Sequence, residues 1–525
     1  MARWKKSQIG QEREHGRTQV ATRIGWLNAP PAQPDASLAP NSPNPYHQFI
    51  AEANENVRTF YDALSEDQFD WHRRYRYYRQ TLINLIRHFV PDGSRVLDVG
   101  SATGDLLAAL HPREGVGLDC APNMVEIARR GHPGLTFVPG FAERLDEADI
   151  PDGPYEYITL VNVIGEMADI GTALRKLHRY CSAETRIIIV HFNHLWEPVC
   201  RLAARLGLKT NNPTPNWLSA PDVADLLTVS DFEVIRKGYS TPMPVRIPGL
   251  AWLCNAVLGR LNGFRKLGFL SYVVARPIVP AESPDRRSVS VVVPCKNEQD
   301  NIDGLVERIP EMGAGTEIIF VDDQSTDATA AHIDAAIARR TDRNIKRVTG
   351  PGRGKGAACR AGFAQATGDV LMILDADMTV MPEELPAFFH ALVTGRGEFI
   401  NGSRMVYPQE QDAMRTFNIV GNKVFAGLFS LLLDQRIRDT LCGTKVIWRR
   451  DYGKLMASRA YFDSCDVWGD YDWLFGAAKN NLKIVELPVH YRERVAGVTK
   501  MTRRVRNGLT MLRMCGIAFR KLRWI

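Results

Sequence analysis

Residues 368–380 read GDVLMILDADMTV, an apolar run that ends in two carboxylates, Asp375 and Asp377, with only Ala376 between them. An uninterrupted apolar run of this length fits a strand buried on both faces, as in a parallel sheet. Two like charges at its end need compensation. An Asp-x-Asp pair offers hard oxygen ligands to Mg²⁺ or Mn²⁺, with a diphosphate to fill the remaining positions. Two upstream runs end in the same way. SVSVVVPC (288–295) leads through Pro294 to Asn297 and Glu298, and EIIFVDD (317–323) closes on Asp322 and Asp323. In parallel order these ends converge on one rim, where sheets of this kind bind ligands. One acidic strand end is commonly a helix cap, a role that Ser325, Thr326 or Asp327 would suit. Three together point to a site.

At 525 residues the chain is too long for one core, and its composition, 45% hydrophobic and 24% charged, is that of a globular protein. A net charge of +7 allows an acidic partner without choosing one. Nine scattered cysteines form no CxxC pair and no zinc spacing, which fits reduced thiols in a cytoplasmic setting. The N-terminal residues lack the apolar core of a secretory signal, and no apolar run reaches the length of a membrane span. The expectation is a soluble protein or one peripheral on the cytoplasmic membrane face.

Strand-like runs RVLDVG (95–100), GVGLD (115–119), YITLVNV (157–163) and RIIIVHF (186–192) alternate with helical stretches, and the rhythm restarts after the proline-bearing segment RPIVPAESPDRRS. The fold class is therefore α/β in two domains with mostly parallel sheets. The expected organisation is a disordered tail (1–45), a first domain (46–278), a linker (279–287), a second domain (288–510) and a basic amphipathic tail (511–525).

VVVPCKNEQDNI, IIFVDDQSTDAT, GRGKGAACRAGFAQATGDVLMILDADMTV, NGSRM, DTLCGTKVIWRRDY and IVELPVHYRERVAGVTKM follow one another in the second half. In this order they resemble family 2 glycosyltransferases of GT-A fold, most of all the dolichol-phosphate and polyprenyl-phosphate sugar synthases. The resemblance implies that Pro294, Asn297, Glu298 and Asp323, joined by the neighbouring Asp322, hold the nucleoside of a nucleotide-sugar donor. It also implies that Asp375 and Asp377 carry the metal and the diphosphate, with Lys355 on the donor side. Arg404, Arg494 and Lys500 match basic positions near phosphate. Asp470 or Asp472 in WGDYDWLF stands where members place a base for a hydroxyl acceptor. With a polyprenyl phosphate, already ionised, no base is needed and the same aspartates would orient Arg or Lys residues. The acceptor is thus a lipid phosphate or another glycan. The segment 500–525, with eight Lys or Arg and no acid among apolar residues, suits an anionic membrane surface or a terminal helix packed on its own domain.

In the first half, RVLDVGSATGDLLAAL (95–110) is a strand, a glycine turn and a helix, and Asp119 closes the next strand nineteen residues after Gly100. The pair resembles class I S-adenosylmethionine-dependent methyltransferases with a Rossmann-like fold. By that resemblance Asp98, Gly100 and Gly104 line the methionine end and Asp119 the ribose, while Asn162 and Glu166 face the substrate. Ala102 replaces a turn glycine, and Phe141 stands where relatives often place an acid against adenine. His191 and His194 are candidate bases or ordinary structural histidines. The alternative to a catalytic first domain is a binding or scaffold module. Nucleic acid is not an expected partner, because no groove-reading helix or aromatic sheet accompanies the basic excess.

Overall fold

In the computed structural model, the described residues are 45–64, 76–206, 216–240, 249, 253–257, 262–407, 416–462, 469–492, 494 and 504–523. The expected disordered tail, apart from Pro45, lies outside them, as does Lys500.

The first sheet contains β1 (Arg95–Val99), β2 (Glu114–Asp119), β3 (Thr136–Pro139), β4 (Tyr157–Val161), β5 (Arg186–Phe192), β6 (Phe232–Ser240) and β7 (Leu270–Pro277) in the order β3-β2-β1-β4-β5-β7-β6. The second contains β8 (Val289–Cys295), β9 (Thr316–Asp322), β10 (Asn344–Thr349), β11 (Val370–Ile373), β12 (Phe399–Ser403), β13 (Lys445–Trp448) and β14 (Ile484–Pro488) in the order β10-β9-β8-β11-β13-β12-β14. β1 to β5 are parallel, as are β8 to β11; of these the inner strands carry apolar runs buried on both faces, whereas the edge strand β10 alternates between buried and exposed residues. β6, β7 and β13 run antiparallel to their neighbours. Both sheets are thus mixed at one side, a feature that hydrophobic periodicity does not distinguish from a parallel run.

Each sheet is covered on its two faces. Two apolar clusters flank the second sheet, one built on Val291, Phe320, Met372 and Phe388, the other on Val292, Val321, Leu371 and Tyr471. The helix Lys355–Gln365 packs tightly on β8 and β9 because residue 362 is glycine. A Cβ there would lie 2.5 Å from Val292 Cγ1 and 2.8 Å from Val321 Cγ2. The C-terminal helix Arg504–Arg523 runs through the expected boundary at 510. Its Met511, Met514, Cys515, Ala518 and Leu522, which recur along one face at helical spacing, join the second of those clusters.

Residues 54–525 form one compact unit, held across the middle by buried polar contacts. Arg186, at the start of β5, places Nη2 2.7 Å from Glu398 Oε1 and donates from Nε to the Asn481 carbonyl at 2.8 Å. Arg236 donates to Asn481 Oδ1 at 2.6 Å, and Asn481 Nδ2 donates to the Phe89 carbonyl at 3.1 Å. Arg186 begins β5, Glu398 precedes β12 and Asn481 precedes β14, so this seam, apart from Arg236 within β6, lies at the amino ends of the strands, away from the carboxyl-end rims where such sheets bind ligands. A buried guanidinium–carboxylate pair broken on one side leaves an uncompensated charge. Arg186→Met is therefore expected to lower unfolding stability by about 3–5 kcal/mol, with much of the loss recovered in Arg186→Met/Glu398→Leu, as read by urea denaturation.

Candidate functional site

The rim of the second sheet is built from the loop that precedes Lys355. Asp323, just past β9, accepts from the Gly352 N–H at 2.7 Å on Oδ1 and from the Gly354 N–H at 3.1 Å on Oδ2. These bonds shape the glycine turn, which delivers Lys355 as the first residue of its helix. Lys355 Nζ lies 2.6 Å from Asp375 Oδ1. Their enclosed surroundings disfavour both charges. For Lys355 the carboxylates of Asp375 and Asp470 outweigh that and raise the pKa, and for Asp375 the cations Lys355, Lys445 and Arg404 lower it. Gly443 closes over the pair, since a Cβ there would stand 2.0 Å from Asp375 Oδ2 and 2.6 Å from Lys355 Nζ.

Asp377 faces a second cation. Its Oδ2 is 3.1 Å from Arg494 Nη2, and its Oδ1 accepts from Thr379 Oγ1 at 2.9 Å. Arg404 follows β12 and forks onto Asp439, with Nε to Oδ2 at 2.7 Å and Nη2 to Oδ1 at 2.8 Å. Burial alone would lift the Asp439 carboxyl, yet Arg404 and backbone donors hold it down at about 2. Asp470 Oδ1 takes the buried Lys445 Nζ at 2.6 Å, and Asp472 Oδ2 takes Arg459 Nε at 2.8 Å. The two aspartates begin one helix, Asp470–Lys479, and both are buried.

Asn297, Glu298 and Asp322 tie this rim together. Asn297 Oδ1 accepts from the Thr326 N–H at 2.8 Å, and the Glu298 N–H donates to Thr329 Oγ1 at 2.9 Å. Asp322 Oδ1 accepts from the Ser325 N–H at 3.0 Å, and Pro294 lies on β8 half-buried beside them. The structure thus brings Pro294, Asn297, Glu298, Asp322, Asp323, Lys355, Asp375, Asp377, Arg404, Asp470 and Asp472 to the carboxyl ends of the strands or the loops and helices that follow them.

On the first sheet the order reverses at β1, whose neighbours are β2 and β4. Gly100 follows β1 at φ +81°, and a Cβ there would meet Val163 Cγ2 at 2.6 Å. Asp119 ends β2 and accepts from the Ala102 N–H at 2.8 Å and the Ala121 N–H at 3.0 Å, so it anchors the glycine turn that also contains Gly104. Ala102 takes the left-handed φ of +45° where glycine would be easier. Asp98 is buried and accepts from Thr159 Oγ1 at 2.6 Å; burial pushes its carboxyl up to about 6 against that hydrogen bond. Asn162, after β4, donates to the Tyr78 hydroxyl at 2.8 Å, while among the described residues its buried Oδ1 has no partner, nor has Ser101 Oγ in the glycine turn. Burial raises the Tyr61 hydroxyl pKa, with the negative charges of Glu166 and Asp119 adding to the rise. Burial pushes the His191 imidazole down to about 4, leaving it neutral at neutral pH. Phe141 has the Arg144 guanidinium 5.7 Å over its ring.

Residues 290–455 match the family model described as glycosyl transferase family 2, and residues 71–237 match the model described as a methyltransferase domain. The chain carries a domain of each family. The glycosyltransferase domain has curated relatives named undecaprenyl-phosphate 4-deoxy-4-formamido-L-arabinose transferase. That of Pectobacterium carotovorum subsp. carotovorum is 39% identical over 106 residues, 19% of this chain and 32% of its own length. That of Salmonella paratyphi B is 28% identical over 222 residues, 41% of this chain and 62% of its own length. The chain therefore spans between about a third and three-fifths of these two relatives. Similar solved structures include a SAM-dependent methyltransferase from Thermotoga maritima, 15% identical, covering 42% of this chain and 99% of that one, with a TM-score of 0.34. Another is magnesium protoporphyrin IX methyltransferase from Synechocystis, 16% identical, covering 42% of this chain and 98% of that one, with a TM-score of 0.31.

The matched span of the glycosyltransferase domain ends before Asp470, Asp472 and Arg494, which the fold nevertheless brings to its rim. Gly443, Lys445, Asp439 and Arg459 were not singled out from sequence. The first three sit in DTLCGTK, whose motif position was the available signal; Arg459 had none.

Two outcomes follow from this geometry. Gly443→Ala is expected to displace the Asp375 carboxylate and remove donor binding, measured by nucleotide-sugar titration calorimetry, while the folded chain persists. In the methyltransferase domain, the raised Asp98 pKa means that the folded state holds its proton more tightly than the unfolded chain between about pH 4 and pH 6. Stability is therefore lost as pH rises through that window and stays lost above it. Asp98→Asn keeps the Thr159 hydrogen bond and is expected to raise stability by about 2–3 kcal/mol at pH 7 and by almost nothing at pH 4, read from urea midpoints.

Proposed function

We propose that the glycosyltransferase domain moves a sugar from a nucleotide-sugar donor to a polyprenyl-phosphate acceptor with inversion, and that the methyltransferase domain transfers a methyl group from S-adenosylmethionine. The two would serve the building of a surface glycan or glycolipid. The names of the curated relatives support a polyprenyl-phosphate acceptor. The observation that carries the choice is the engagement of both candidate bases by cations, Asp470 by Lys445 and Asp472 by Arg459. A hydroxyl acceptor must lose a proton to such a carboxylate, whereas a phosphate arrives ionised and gains from nearby cations.

Asp375 and Asp377 fit Mg²⁺ or Mn²⁺ by their oxygen donors and by the glycine-lined space beside Asp375 Oδ2. Such an ion, when bound, would neutralise the diphosphate as it leaves. Among this chain's own residues, Lys355 and Arg494 stand within reach of those carboxylates and would take up the phosphate charge of the donor. Arg404, fixed by Asp439, would add its charge to the phosphate site without reorganising. Pro294, Asn297, Glu298, Asp322 and Asp323 would receive the nucleoside.

In the methyltransferase domain the unpartnered Ser101 Oγ and Asn162 Oδ1 fit a polar ligand over the glycine turn. Asp119 would receive the ribose, and Asp98, Gly100 and Gly104 the amino-acid end. S-adenosylmethionine supplies an activated methyl group, so the residues need only align donor and acceptor. The protein would act at the cytoplasmic membrane face as a peripheral enzyme. No helix among the described residues is long and apolar enough to cross a membrane, and Arg504–Arg523 combines Arg and Lys with exposed Leu509 and Leu512.

The test is transfer from a panel of labelled nucleotide sugars to short polyprenyl phosphate with Mg²⁺ or Mn²⁺. A metal-dependent lipid product is expected, falling by about a hundredfold or more in Asp377→Asn and little changed in Asp472→Asn. Donor hydrolysis without lipid product, or abolition of transfer by Asp472→Asn, would overturn the lipid-phosphate reading in favour of a saccharide hydroxyl. S-adenosylmethionine binding lost in Asp119→Ala is expected for the first domain, and no binding in the wild type would make it a scaffold module.

A further inference from the structure

The helix Glu197–Arg205 is inside out. A helix on a soluble surface turns its apolar stripe to the core. Here Leu195, Val199, Leu202 and Leu206, spaced by four, three and four residues on one face, are 50%, 53%, 57% and 64% exposed, while Cys200 is the buried side chain of the helix itself. The stripe is continuous with a second exposed apolar pair. Asn193 donates to the carbonyls of Lys266 and Gly268 at 3.0 and 2.8 Å, and Trp196 Nε1 donates to the Leu267 carbonyl at 2.9 Å. These bonds hold the turn with exposed Phe264 and Leu267 beside the start of the helix. Contiguous exposed apolar surface of this kind marks a binding face.

Its charges choose the occupant. Arg201, Arg205 and Lys266 are exposed around the patch, and the one acid on the helix, Glu197, is paired with Arg201 at 2.5 Å. A two-fold contact with a second copy would press these cations against their own images. An anionic lipid surface instead takes the leucines into its acyl boundary and the cations at its headgroups. The patch follows the carboxyl end of β5 and precedes the amino end of the antiparallel β7, so it lies at the rim of the first sheet that also carries Gly100, Asp119 and Asn162.

We propose that Leu195, Val199, Leu202, Leu206, Phe264 and Leu267 form a docking face for an anionic bilayer, which turns the rim of the methyltransferase domain toward lipid and makes its methyl acceptor an amphiphile. This deepens the methyltransferase reading and gives the protein a membrane contact separate from the helix Arg504–Arg523. The full chain is floated with phosphatidylcholine–phosphatidylglycerol vesicles and with phosphatidylcholine alone, without donor or acceptor. Partition is expected on the anionic vesicles, weaker at high salt, and about tenfold or more lower in Val199→Ser/Leu202→Ser/Leu206→Ser. Because these side chains are exposed, the variant should melt as the wild type does and still transfer sugar to a short soluble polyprenyl phosphate. Loss of that transfer in wild type and variant alike would count against the glycosyltransferase reading and leave the vesicle result to stand by itself. Unchanged partition in the triple variant overturns the docking face, as does a loss seen only in Leu509→Ser/Leu512→Ser. A wild-type dimer that the triple variant turns into a monomer would assign the patch to a second copy and equally overturn it.

Discussion

The compensation of carboxylate charge at the end of β11 organises the second half of the chain. Asp375 lies beyond a strand whose residues are buried on both faces, so its ionised form depends on cations brought to it from elsewhere. Lys355 arrives on a helix whose start is shaped by Asp323, and Gly443 leaves the room that the pair occupies. Lys445 adds its charge from β13 and is itself held by Asp470. Asp375, Asp377, Asp439, Asp470 and Asp472 thus each have a cation from another segment of the chain, and the spacing of these segments by sheet packing sets the geometry of the rim. Under the proposed function, an anionic ligand would meet groups already oriented, so little reorganisation would remain for the reaction itself.

The inner parallel strands were legible in the sequence because burial on both faces leaves unbroken apolar runs. RIIIVHF was read as 186–192, the same span as β5, and SVSVVVPC differs from β8 by one residue. The parallel edge strands β3 and β10 were not, nor were β6, β7, β12, β13 and β14, since they are mixed in polarity or short, and their pairing comes from distant segments. Asp375 and Asp377 announced themselves by spacing. Asp439 did not, because its importance lies in a fork to Arg404 across 35 residues, and a lone aspartate in a loop carries no such mark. Asp470 and Asp472 were recognised, but whether they serve as bases turned on Lys445 and Arg459, partners that no local pattern connects to them. The segment expected as a linker was read from its prolines. Proline content reports on local backbone, not on the buried Arg186–Glu398 contact that joins the two halves elsewhere.

In the methyltransferase domain the same logic is written in burial and strain. Asp98 is kept where ionisation is costly, and Ala102 takes a backbone conformation that glycine would adopt more easily. Asn162 also has a positive φ while one of its polar atoms goes unpartnered. Such departures cluster at the ends of β1 and β4, beside the switch in strand order, and are the usual physical signature of a ligand site.

The seam through Arg186, Glu398 and Asn481 draws on the amino ends of strands, with Arg236 reaching it from within β6, while both rims are assembled from loops at the carboxyl ends. The residues of this seam are therefore distinct from those proposed to receive substrates, although Asp434 adds a further contact between the halves with Arg265 and Tyr272. Loops at either rim can be lengthened, exchanged or remodelled by mutation without altering the surface on which the partner half is seated. The architecture separates inheritance of the fusion from diversification of its chemistry, so that related chains can acquire new donors or acceptors while remaining joined in the same way.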